Sequence, residues 1–85
     1  ATFAEIYARI DKTLALLATF TPAQIDGQEE RDITITPGGR EMKFKGQAYL
    51  VHWVLPNFYF HVMTTYAILR HNGVEVGKMD YLGSF

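Results

Sequence analysis

From Gly46 to Asn72 the chain carries apolar side chains on every side of the helix that the segment would form, and this limits the available folds more than any other feature. Tyr49, Leu50, Trp53, Leu55, Phe58, Tyr59, Phe60, Met63 and Ile68 point in all directions around the axis, the pattern of a helix surrounded by others. Asn72-Gly73-Val74 supplies its stop, with Gly73 in the left-handed conformation and Val74 within reach of Leu69. Arg70 and His71 suit the negative end of the helix dipole. The helix would be about 40 Å long at about 1.5 Å per residue, kinked or broken near Pro56, which has no N–H for the carbonyl of His52. His52, Pro56, Asn57 and His61 interrupt the stretch, and it falls short of the roughly 20 apolar residues that span a bilayer. A buried helix is the reading.

What remains of the chain is too little to cover such a helix. Thr2 followed by Glu5 forms a capping box, so a first helix runs over about 2–20. Phe3, Tyr7, Ile10, Leu14 and Leu17 give it a single apolar stripe. Thr21-Pro22 ends it and can start a short turn. Asp26-Gly27 is a turn signal, and Gln28-Glu29-Glu30-Arg31 reads as a solvated charged run. Ile33 to Phe44 alternates apolar and polar residues around Pro37-Gly38-Gly39-Arg40, which predicts a β-hairpin over about 33–44. With Gly38-Gly39 as a two-residue loop, Ile35 pairs with Met42 and Ile33 with Phe44, and this apolar face must dock on the helices. A tail, 74–85, wraps back over the core. One helix and one hairpin leave several hundred Å² of apolar surface wet, so either absent sequence or another copy must complete the fold. The chain opens on Ala1-Thr2-Phe3 without a start Met or a basic n-region, which shows no signal peptide and suggests a fragment.

Composition narrows the function classes. The 85 residues, 48% hydrophobic and 20% charged, suit a single soluble domain. Eight Lys and Arg against nine Asp and Glu give a net charge of -1, so no basic field is present to attract nucleic acid or an anionic membrane. The absence of cysteine removes thiolate metal sites and cysteine nucleophiles and fits the cytoplasm.

The strings Leu55-Pro56-Asn57-Phe58-Tyr59-Phe60-His61, Ala67-Ile68-Leu69-Arg70-His71-Asn72-Gly73-Val74 and Gly77-Lys78-Met79-Asp80-Tyr81-Leu82-Gly83 resemble a bacterial and fungal family known as domain of unknown function nineteen ninety-three. The chain resembles the C-terminal half of that family's usual length, with the upstream helix, Ile25-Asp26-Gly27-Gln28-Glu29-Glu30-Arg31 and Gly38-Gly39-Arg40-Glu41-Met42-Lys43-Phe44 in matching order. The family is placed among DinB-like helical bundles, a resemblance that implies a metalloenzyme with one His on the second helix and an H-x-x-x-H pair on the fourth. The resemblance implies a mainly α protein: two long helices with an intervening β-hairpin, half of a four-helix bundle completed by absent sequence or by oligomerisation. It also departs from the metal pattern, since His61 is followed four residues later by Thr65.

Asn57, His61 and Thr65 fall at i, i+4 and i+8 and form a polar row on the last helix. Together with Tyr66 they are the candidate ligand-binding residues, with His61 as the candidate metal ligand or general acid/base. The opposing reading is structural: a core histidine bonded to a neighbouring helix, Asn57 bonded to the backbone near Pro56, and Thr65 bonded to its own preceding turn. His52 lies half a turn from His61 on an ideal helix, and His71 is accounted for by the helix end. A bound divalent metal, zinc or nickel, would therefore need ligands from outside this chain. The expected partners are a second copy or the missing N-terminal half, and a small-molecule ligand. The alternative function is a structural module that forms a helical dimer.

Overall fold

The computed structural model describes residues 1–84. It is mainly helical with one two-stranded antiparallel hairpin. The order is α1 (Phe3–Leu17), α2 (Pro22–Ile25), β1 (Asp32–Ile35), β2 (Met42–Lys45), α3 (Gly46–Tyr49), a π-helical turn (Leu50–Val54), α4 (Leu55–His71) and α5 (Lys78–Leu82).

The Thr2 capping box starts α1, with the Glu5 amide donating to Thr2 Oγ1 at 3.1 Å and the Thr2 amide to Glu5 Oε2 at 3.2 Å. The helix stops at Leu17, the last residue of the apolar stripe and three residues before the Phe20 end expected from Thr21-Pro22. The Thr19 and Phe20 amides donate to the Leu16 and Leu17 carbonyls in a tighter closing turn, and Thr21 is then extended ahead of Pro22 (φ −118°, ψ 155°). The Thr21 amide then donates to Gln24 Oε1 at 2.7 Å, and α2 follows.

In the hairpin, Asp32 pairs with Lys45, Ile33 with Phe44, Thr34 with Lys43 and Ile35 with Met42. This is the register that the alternation requires. The loop differs from expectation, because the ladder ends at Ile35 and a 3-10 turn, Pro37–Gly39, replaces the two-residue connection. Pro37 cannot donate to a ladder; instead Gly39 and Arg40 donate their amides to Thr36 and Pro37 carbonyls. Ile33, Ile35, Met42 and Phe44 are half-buried, and Thr34 and Lys43 between them on the strands are exposed.

The strand runs directly into a helix that continues to His71 without a break. The dihedral angles through Tyr49, Leu50, Val54 and Leu55 all stay helical. Pro56 is accommodated by the π-helical turn before it, in which the Leu55 amide donates to the Leu50 carbonyl. A wider turn is an alternative to a kink where a proline ring would press on the carbonyl four residues back. At the far end Val74 donates to Leu69 and Gly73, at φ 88°, donates to Arg70, the paired bonds of a Schellman stop. The tail returns through α5, where Tyr81 meets Tyr66 edge-on at 5.6 Å. Phe85, included in the tail by the sequence reading, lies outside the described residues.

Most packing lies in the middle of the chain. Phe44 meets Tyr49 and Trp53 at centroid distances of 5.8 and 6.1 Å. The loop before β1 is pinned to the helix start: the Gln47 amide donates to the Glu29 carbonyl at 2.9 Å, and the Gln28 carbonyl lies so close to Gly46 that any Cβ there would overlap it. By contrast α1 packs substantially on no other element. Among the described residues no side chain is fully buried. A compact domain of this length has a radius of gyration of about 12 Å and an accessible surface of about 5,100 Å²; here the values are 16.5 Å and 7691 Å².

Candidate functional site

The polar row of α4 exists because the helix is continuous through it. Asn57 donates from Nδ2 to the Trp53 carbonyl at 2.7 Å, and Thr65 donates from Oγ1 to the His61 carbonyl at 2.8 Å. Both side chains therefore satisfy carbonyls of their own helix, as polar residues inside apolar helices do. His61 is exposed, its ring edge-on to Phe60 at 5.3 Å. Of the row, it alone keeps its side-chain nitrogens unspent among the described residues. Tyr66 is half-buried and turned onto Tyr81 of α5, so it stands apart from the other three.

His52 is exposed within the π-helical turn, and His71 closes α4. Among the described residues no three His, Cys, Asp or Glu side chains come together as a metal-binding group. The residues present thus do not fit a metal centre by themselves: His61 offers one ligand, and three or more are needed.

An open groove of about 550 Å³ lies elsewhere, between the α2–β1 loop and the π-helical turn. Its lining includes the apolar Ile25, Ile33, Leu50, Val51 and Val54 and the charged Asp26, Glu29 and Arg31. The row on α4 does not line it. Sequence reasoning placed Glu29 and Arg31 in a solvated run and missed this juxtaposition. The available signal was Lys45-Gly46-Gln47, a glycine between a strand and a helix, which marks a close backbone approach.

The one ion pair among the described residues, Lys45 with Asp32 at 2.6 Å, is exposed. The hydrogen bond that Lys45 Nζ donates to Asp32 Oδ1, and secondarily the carboxylate's charge, raise the pKa of the Lys45 ammonium above its ordinary value. No described helix is long and apolar enough to cross a membrane.

The family model described as Domain of unknown function (DUF1993) matches residues 1–82. No curated protein and no solved structure matches the chain.

Proposed function

The chain belongs to the DUF1993 family, and from that premise we propose that it is half of a DinB-like four-helix bundle with a small-molecule pocket beside His61. The observation that carries this reading is the surface. It exceeds that of a folded domain of this length by about 2,600 Å², and large apolar side chains stand in it: Phe3 is 79% exposed, Tyr7 64%, Phe58 58% and Ile68 58%. Patches of this extent on a stable protein are covered by something. Two further helices, from additional sequence of the same polypeptide or from a second copy, would cover α1 and α4. They would also enclose the Asn57, His61 and Thr65 row, leaving the His61 imidazole as the unspent polar group in the enclosed space.

A metal enters this proposal only as far as one ligand. Zinc or nickel bound at His61 would take its remaining ligands from the completing helices, and no step of chemistry is derived through it. Elemental analysis of the purified protein tests this arm: near-stoichiometric metal that is lost in His61→Ala supports a metal pocket, and metal retained in His61→Ala sinks it.

The second reading, a module that only builds a helical dimer, is favoured by the hydrogen bonds of Asn57 and Thr65, which spend both side chains on local backbone. The two readings separate on His61. In a purely structural module His61→Ala changes association and leaves any small-molecule uptake as it was. In the pocket reading His61→Ala abolishes uptake while circular dichroism and the assembled mass stay unchanged.

A further inference from the structure

Tyr49, Trp53, Asn57, His61 and Thr65 recur every four residues. At about 100° per residue each step of four overshoots a full turn, so an uninterrupted α-helix carries Thr65 about 160° around the axis from Tyr49. The two ends of the row would then face nearly opposite ways. The π-helical turn at Leu50–Val54 alters this, because it takes one more residue than an α-turn to complete the same rotation. With that extra residue absorbed, the row drifts by only about 60° over its whole length.

Contacts at the upstream end show which way the row faces. Tyr49 and Trp53 both meet Phe44 of β2 at 5.8 and 6.1 Å, so this flank is the hairpin side. Asn57 carries it forward through its bond to the Trp53 carbonyl at 2.7 Å, and His61 and Thr65 follow. We propose that the hairpin-facing flank and the His61 row are one continuous binding surface, lined up by the π-helical turn, with Phe44, Tyr49 and Trp53 walling its upstream end. Trp53 and His61 are eight residues apart, about 12 Å along the helix. The surface therefore suits an elongated organic ligand, with an apolar body along the rings and a hydrogen-bond acceptor such as a carboxylate at the imidazole N–H, rather than a metal ion alone. This inference rests on the pocket reading above and adds the hairpin to it.

The chain has no cysteine and one tryptophan, which makes both arms of the test clean. Spin labels on introduced cysteines at Lys43 with Thr65, and at Lys43 with Ala67, are measured by pulsed dipolar spectroscopy after dilution with unlabelled protein. Ala67 lies eighteen residues, or five full α-turns, after Tyr49, so it would take the hairpin side in an uninterrupted helix. The shorter distance is expected for Thr65, and a shorter distance for Ala67 overturns the alignment. In the second arm 6-phenylhexanoate is titrated while Trp53 emission is followed. A saturable change that disappears in His61→Ala is expected; no saturable change, or one that His61→Ala leaves intact, overturns the shared surface. Loss of the pocket reading alone leaves the order of the label distances unchanged, so the two failures are distinguishable.

Discussion

The first helix and the hairpin junction are opposites. By local criteria α1 is the better-specified element: it has both bonds of a capping box and a regular apolar stripe. Yet Phe3, Tyr7, Ile10, Leu14 and Leu17 are all exposed, and the helix packs substantially on no other element. The hairpin is only four residue pairs long, a size that is marginal alone. It is nonetheless the better-held region, because Phe44 reaches Tyr49 and Trp53 while Glu29 and Gln28 close on Gln47 and Gly46. Local signals decide that a helix forms, and contacts distant in sequence decide whether it is anchored. The chain holds both kinds of region, and it supplies the distant contacts for just one of them.

The contrast breaks most visibly at Gly46. Gly46→Ala places a Cβ on the Gln28 carbonyl, and overpacking of this kind costs about 1–3 kcal/mol. The amide of Gln47 should lose its exchange protection while the α1 amides keep theirs, and equal loss in both regions would mean that the two are coupled. Next in size is Phe44→Ala, which removes a half-buried ring from two aromatic neighbours at about 1–2 kcal/mol. Trp53 emission should shift to the red, and an unshifted spectrum would show that the ring cluster does not hold the junction. Thr2→Ala should cost α1 about 1 kcal/mol through loss of its cap. The effect should appear in far-UV helicity and first-turn amide exchange with the hairpin untouched. Smallest of all is Asp32→Asn. A raised ammonium pKa contributes stability below the ordinary lysine range and loses it as pH rises through the folded value, so the contribution is fully present at neutral pH and is lost only in alkali. Because the pair is exposed, solvent screening should leave the melting temperature unchanged at neutral pH, and a clear drop would show the pair to be shielded by a partner.

These two regions also explain what was legible beforehand. The Thr2 cap, the Ile33–Phe44 register and the Gly73 stop each depend on residues a few positions apart, and the sequence carries them directly. Pro56 signalled an irregular helix, and a kink and a wide turn both relieve its clash with the carbonyl four residues back, so the residue alone does not choose between them. Leu17 rather than Phe20 ends α1 because the chain closes with i to i−3 bonds from Thr19 and Phe20 before it reaches the extended Thr21; Pro22 signalled the stop but not the length of that turn. At the candidate site the spacing of Asn57, His61 and Thr65 was legible, as were the backbone bonds of Asn57 and Thr65. What encloses His61 was not, since none of the described elements covers it.

These residues do not bury their own apolar faces, and size-exclusion chromatography with light scattering and small-angle X-ray scattering shows whether that holds in solution. The chain by itself should associate into a species of at least twice its mass, with α1 amides protected only in the associated form. A monodisperse monomer with a radius of gyration near 12 Å and a protected α1 would contradict it.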